Sequence, residues 1–136
     1  MSGSYSELDV GREGRVARLA LNRPDKRNAL SFALCRALVE ALEQAEADPG
    51  VGAILLSGHG PAFCAGMDLG EMESPEAMAA SQIHERLFTA GARSRKPIVA
   101  AVEGAALAGG MGLAANAHIV VAAEDATFGL TEIRIG

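Results

Sequence analysis

Apolar positions along this chain change their period several times, and each change marks an element. From Val16 to Leu21 they alternate, with Ala17, Leu19 and Leu21 on one side, which predicts a strand. Asn22-Arg23-Pro24-Asp25 is turn chemistry that ends it. After Ser31, a capping residue type, Leu34, Leu38, Leu42 and Ala45 recur at helical spacing, and Asp48-Pro49-Gly50 stops that helix. Val51 to Leu56 reads as a short buried strand, followed by a loop from Ser57 to Pro61. A second helix is expected to open at Ser74-Pro75, with Ser as cap and Pro in the first helical position. Ile83, Leu87 and Ala90 give it an inner face, and Arg93 to Lys96 end it. Ile98 to Val102 predicts another buried strand, Gly104 to Leu107 a loop, and Gly109 to Asn116 a short helix. Ile119 to Ala122 and Ala126 to Phe128 read as the last strands.

Strand and helix thus alternate, which predicts an α/β layer arrangement with largely parallel strands. No repeat or linker divides the chain, so residues 1–136 are read as one domain or part of one. Apolar residues at 49% and charged residues at 21% are globular proportions. With 4% aromatics and no Trp, the core has to be built from Ala, Val, Leu and Ile. The formal net charge of -5, without a basic stripe, argues against nucleic acid as the main partner. Two cysteines, Cys35 and Cys64, form no framework of spaced pairs, which fits a reduced, cytoplasmic setting. Residues 1–10 lack the pattern of a signal peptide. The apolar region from Pro97 to Ala123 is broken by Glu103, Asn116 and His118, so no membrane span is expected.

Two Gly-flanked segments follow predicted strands: Ala62-Phe63-Cys64-Ala65-Gly66-Met67-Asp68-Leu69, and Gly104 to Gly112. In an α/β fold, loops at the carboxyl ends of strands are where ligands sit. A helix opening at Gly109 would also aim free N–H groups at that crevice. Gly110-Met111-Gly112-Leu113-Ala114-Ala115 fits a dinucleotide fingerprint, but a long loop separates it from its strand, and NAD binding stays a distant alternative. His59, His84 and His118 have no partners at metal-ligand spacing, and no metal is expected. Cys64 reads as a small buried hydrophobe. No nucleophile elbow, P-loop or paired C-x-x-C occurs, so serine hydrolase, NTPase and zinc-module readings have no support.

Taken in order, these segments resemble the crotonase, or enoyl-CoA hydratase/isomerase, superfamily. The resemblance rests on Asn22-Arg23-Pro24-Asp25-Lys26-Arg27-Asn28-Ala29-Leu30, the segment from Ala62 to Leu69, and Lys96-Pro97-Ile98-Val99-Ala100-Ala101-Val102. The Gly-rich turn and Phe128-Gly129-Leu130-Thr131-Glu132 complete it. It implies a spiral of short strands and helices (ClpP/crotonase-like), of which this chain would be the N-terminal part, with the C-terminal part missing. The family likeness places an oxyanion hole at the backbone N–H groups of Met67 and Gly109. Such donors stabilise the charge that forms on a thioester oxygen when a neighbouring proton leaves, each typically worth roughly 10²–10³ in rate. A side chain at Gly109 or Gly110 would be expected to obstruct the thioester. By the same likeness Lys26, Arg27, Ala29, Ala65, Gly66, Met67, Asp68, Leu69, Leu107, Gly110 and Gly112 line the acyl-CoA groove, with Lys26 and Arg27 toward its phosphates. No bound cofactor is expected, coenzyme A entering as part of the substrate. At full length a homotrimer or dimer of trimers is implied.

The chain departs from the family pattern at Gly112. Hydratases of the family carry glutamate there and a second one matching Glu132. Water addition needs one carboxylate to activate water and one to give a proton to carbon. Gly within a helix costs on the order of 1 kcal/mol relative to Ala, so Gly112 is expected to make room for a ligand. A single acid/base at Glu132 suits movement of a double bond along an acyl-CoA, and an isomerase-like reaction is the preferred expectation. Hydratase, decarboxylase or thioesterase chemistry, a non-catalytic acyl-CoA-binding protein, and a fragment acting beside a complementary chain are the alternatives. An end at Gly136 would leave Leu130, Ile133 and Ile135 without an evident apolar partner.

Overall fold

The computed structural model describes residues 5–71, 75 and 80–131. The elements run β1 (Leu8–Glu13), β2 (Val16–Leu21), α1 (Phe32–Ala47), β3 (Ala53–Gly58), α2 (Ser81–Phe88), α3 (Ala90–Arg93), β4 (Ile98–Val102), β5 (Ala105–Leu107), α4 (Gly109–Ala115), β6 (Ile119–Ala122) and β7 (Thr127–Gly129). Five strands form one sheet in the order β1-β2-β3-β4-β6, parallel except for the antiparallel β1-β2 hairpin. That hairpin turns through Gly14 at φ +58, the left-handed position a two-residue loop asks for.

The alternation along β2 sets the sheet's inner face: Ala17, Leu19 and Leu21 are fully buried, and Ile54, Leu56, Ile98, Ala100 and Val102 continue that face. Helix α1 lies against it through Leu34, Leu38, Ala41 and Ala45. Ser31 caps α1 as its sequence position predicts, its Oγ accepting the Leu34 N–H at 3.1 Å. At the other end the Lys96 ammonium donates to the carbonyls of Ala45 (2.7 Å) and Asp48 (2.5 Å), supplying a cation where the last carbonyls lack helical partners. Every large aliphatic in the core is Leu, Ile or Val, with Phe63 the one large ring fully buried among the described residues.

The structure redraws three elements. Gly104 to Leu107 is not a loop throughout, because Ala105–Leu107 pairs in parallel with Thr127–Gly129 to form a second, two-stranded sheet. The second helix is not continuous: α2 ends at Phe88, Thr89 adopts a non-helical conformation, and α3 follows as a single turn. Its expected cap, Ser74, lies outside the described residues. Strand β3 begins two residues later than the apolar run, because the Val51 N–H closes the turn after α1 on the Asp48 carbonyl and the Gly52 N–H donates to the Arg15 carbonyl. Strand β6 closes one edge of the sheet with all four residues exposed, and Phe128 and Leu130 are exposed nearby in sequence. Ile133 and Ile135 lie outside the described residues.

Candidate functional site

Three backbone segments meet beside the start of α4. The Arg27 carbonyl accepts the Ala65 N–H at 3.0 Å, the Gly66 carbonyl accepts the Leu30 N–H at 2.7 Å, and the Leu30 carbonyl accepts the Asp68 N–H at 3.0 Å. On the other side Cys64 bridges to β5, its N–H donating to Ala105 (3.1 Å) and its carbonyl accepting from Leu107 (3.0 Å). Residues 26–30 and 65–69, separated by all of α1 and β3 in sequence, are therefore one surface. Lys26 and Arg27 stand exposed at its rim.

Gly66 is the point of closest approach. It has φ +108, a conformation that costs glycine little. A Cβ there would lie 3.0 Å from the Ala108 Cβ and 3.6 Å from the Gly109 nitrogen, so the peptides leading into Met67 and Gly109 run side by side. Ala108 holds φ 53 and ψ -121, a strained conformation for a residue with a Cβ, worth of order 1–3 kcal/mol. The strain sits where the chain swings from β5 into α4, and it orients the Gly109 N–H.

The direction of each N–H follows from its own peptide unit. A trans peptide sets its C=O and N–H on opposite sides. The Gly66 carbonyl points at Leu30, so the Met67 N–H points away from it. The Ala108 carbonyl accepts the Gly112 N–H at 3.1 Å as the first bond of α4, leaving the Gly109 N–H ahead of the helix. Among the described residues neither the Met67 nor the Gly109 N–H has a backbone acceptor. Two adjacent free donors of this kind suit an oxygen that gains negative charge.

The glycines around this pair act for reasons partly different from those expected. At Gly110 a Cβ would fall 2.2 Å from the Cys64 carbonyl oxygen, so the close packing is internal to the protein rather than against a ligand. At Gly109 a Cβ would meet the Met67 side chain at 3.4–3.5 Å, a neighbour able to adjust. At Gly112 a Cβ would meet only the Phe88 ring, at 3.6 Å, so the backbone there does not require glycine. Leu107 is half-buried beside the site and Leu69 is largely exposed.

Asp68 is engaged rather than free. Its Oδ2 pairs with Arg23 Nη2 at 3.2 Å and its Oδ1 accepts the Gly70 N–H at 3.0 Å. Arg23 and Asn28 lie in the motif that carries the resemblance, but the sequence gives neither a role. The Arg23 side chain, 13% exposed, also pairs with Glu7 at 3.2 Å and donates to the Ala29 carbonyl at 2.6 Å. Asn28 is fully buried at φ 58; its Oδ1 accepts the Arg23 N–H, and its Nδ2 donates to the carbonyls of His59 (2.8 Å) and Ala62 (2.9 Å). A polar residue able to adopt a left-handed conformation, flanked by Arg and Ala in a turn, was the available signal for it.

The remaining candidates are structural. His118 Nδ1 accepts the Ile98 N–H at 2.8 Å, which fixes Nε2 as donor to the Gly91 carbonyl. His59 pairs with Asp9 at the surface. His84 lies against Phe32, ring centroids 6.2 Å apart. Burial pushes the Cys64 thiol up to about 11; burial and then the neighbouring Cys64 push Cys35 up to about 12, so neither is a nucleophile near neutrality. Among the described residues no cluster of three His, Cys, Asp or Glu could hold a metal ion, and no helix is long and apolar enough to cross a membrane. Glu132 lies outside the described residues, while Glu103, Glu124 and Asp125 are exposed.

A family model described as enoyl-CoA hydratase/isomerase matches residues 11–136. The 2,3-dehydroadipyl-CoA hydratase of Escherichia coli is 43% identical over 132 residues, 96% of this chain and 52% of the relative. An enoyl-CoA hydratase of Mycobacterium tuberculosis, EchA19, is 38% identical over 133 residues, covering 92% and 49% of the two chains. A crystal structure of an enoyl-CoA hydratase/carnithine racemase from Magnetospirillum magneticum superposes with a TM-score of 0.90 at 31% identity, over 98% of this chain and 52% of that one. The chain thus spans about half the length of the curated relatives it matches.

Proposed function

Because this chain belongs to the enoyl-CoA hydratase/isomerase family, we propose that the paired Met67 and Gly109 N–H groups form an oxyanion hole for an acyl-CoA thioester. The observation that supports this is the closeness of the two peptides, with φ +108 at Gly66 and φ 53 at Ala108, and the lack of a backbone acceptor for either N–H among the described residues. Removal of a proton next to the thioester carbon drives charge onto its oxygen, and both donors stabilise that enolate. The groove runs along Ala29, Ala65, Gly66, Asp68, Leu69 and Leu107, and Lys26 and Arg27 at the exposed rim meet the phosphates of coenzyme A. Met67 contributes its N–H, and its side chain packs against Gly109 as a wall of the groove.

The reaction proposed is isomerase-like. Glu132 removes a proton from one carbon of a 3-enoyl-CoA and returns it to another, while Gly112 leaves the second acid of a hydratase unfilled. Coenzyme A arrives with the substrate and no separate cofactor takes part. A trimeric or doubly trimeric assembly in the cytoplasm goes with the same reading. Hydration is the second reading, favoured by the names of the relatives, and it needs an acid from elsewhere in the protein.

The test is turnover of 3-enoyl-CoA and of 2-enoyl-CoA by the protein at its natural length. Isomerisation of the first without hydration of the second, abolished in Glu132→Gln, is the expected result. Rapid hydration of the second, or full isomerase activity in Glu132→Gln, overturns the assignment.

A further inference from the structure

Two consecutive peptide units connect a buried cation to the Met67 N–H. Arg23 Nη1 donates to the Ala29 carbonyl at 2.6 Å. The N–H of the same peptide unit, that of Leu30, donates to the Gly66 carbonyl at 2.7 Å. The N–H of that next unit belongs to Met67. Each unit accepts on its oxygen and donates from its nitrogen, so a charge at the first oxygen polarises every N–H downstream. Both links are short for N–H···O bonds, and a charged donor heads the chain.

The surroundings keep that cation in place and effective. Its other edges are spent on Glu7 and Asp68, both at 3.2 Å, so the planar fork is fixed against three segments at once. Its side chain is only 13% exposed, which limits screening by solvent and salt. The Arg23 backbone is held as well, its N–H by Asn28 Oδ1 and its carbonyl by the N–H groups of Lys26 and Asn28. An arginine needed only to join β1 to the turn would not have to aim one donor at Ala29.

We propose that Arg23 is a positioning residue for the oxyanion hole: through the Ala29–Leu30 and Gly66–Met67 peptide units it strengthens and aims the Met67 N–H. This rests on the oxyanion-hole reading above. Arg23 touches no substrate atom, and its effect is read at the thioester oxygen alone. The two carboxylates that pair with it offset its charge in the groove while leaving the hydrogen-bond chain intact.

The test is isotope-edited infrared spectroscopy of a saturated acyl-CoA, labelled with ¹³C at the thioester carbonyl, bound to the protein at its natural length and to its variants. The wild-type protein is expected to lower the carbonyl stretching frequency relative to free ligand. In Arg23→Met the lowering is expected to shrink by roughly 10–25%: about 10–30% per bond over two bonds weakens the Met67 donor by roughly 20–50%, and the Gly109 donor, which lies outside the relay, keeps its share of the shift. Arg23→Lys, which keeps the charge on one flexible donor, is expected to fall between the two. Glu7→Gln removes one ion pair of Arg23 but not its bond to Ala29, and is expected to match wild type. If Arg23→Met does not fold, Arg23→Lys against Glu7→Gln gives the same comparison. A full wild-type shift in the Arg23 variants, or an equal loss in Glu7→Gln, overturns the role of Arg23 and leaves the oxyanion hole standing. No shift in the wild-type protein overturns the oxyanion hole and this proposal with it.

Discussion

Gly110→Ala and Gly112→Ala add the same methyl group two residues apart in α4, and the structure sends them in opposite directions. At Gly112 the new Cβ meets the Phe88 ring at 3.6 Å, which is ordinary contact. Ala is then favoured over Gly in the helix by about 0.5–1 kcal/mol, because the unfolded chain loses fewer conformations. At Gly110 the Cβ falls 2.2 Å from the Cys64 carbonyl oxygen and 2.8 Å from its carbon. The oxygen cannot yield freely, since it accepts the Leu107 N–H at 3.0 Å within the bridge that joins residue 64 to β5. Overpacking of this kind costs about 1–3 kcal/mol, and a backbone obstacle points to the upper end. Subtracting the helix gain leaves Gly110→Ala about 2 kcal/mol less stable than wild type. The two variants have identical composition, so the gap of about 3 kcal/mol between them is carried by the native state. Urea denaturation followed by circular dichroism measures it, with equal slopes as the check that the unfolded states match. Gly110→Ala as stable as wild type, or Gly112→Ala destabilised by about 1 kcal/mol or more, would refute the packing assigned to α4.

Asn28→Ala strands the His59 and Ala62 carbonyls and places Ala at φ 58. A loss of about 2–4 kcal/mol is expected in the same denaturation assay, and a loss below about 1 kcal/mol would refute the pinning role. Glu46 titrates below its ordinary value: burial opposes this, but the Arg95 N–H, the Ser94 hydroxyl and the Lys96 charge outweigh burial. A depressed folded-state value means stability that is present above the ordinary glutamate range and is lost as pH falls through the folded one. Glu46→Gln is therefore expected to flatten the acid side of the stability profile, and an unchanged profile between neutral pH and pH ~3 refutes the linkage.

The fold was legible where one physical signal dominated. The alternation that buries Ala17, Leu19 and Leu21 in β2 and the Ser31 cap of α1 each had a local cause, and the structure keeps them. What escaped were elements whose identity depends on a distant partner. Residues 105–107 form a strand only because residues 127–129 pair with them, and their own small side chains carry no strand signal. Strand β1 has a glycine and charged residues in its body, so only its hairpin partner β2 and the turn at Gly14 define it. The break at Thr89 leaves no mark in the apolar period, since Leu87 and Ala90 stay in step across it.

The site was legible for a different reason: its candidate donors are backbone groups, and backbone groups show in a sequence only through the residues that let them approach. Gly66 and Gly110 mark such approaches, and the resemblance supplied their meaning. The same logic explains what was missed. Arg23 and Asn28 act on carbonyls rather than on a ligand, so nothing in their side-chain chemistry distinguishes them from a charged, solvated turn until the three segments are brought together. It also changes the reading of Gly112. A glycine that the backbone does not require, facing an aromatic ring at contact distance, is a position where a side chain is sterically permitted. The lack of a carboxylate there is a difference in chemistry and not a demand of the fold. On the proposed reading, reaction type then turns on one side chain set against a backbone frame that would serve either outcome.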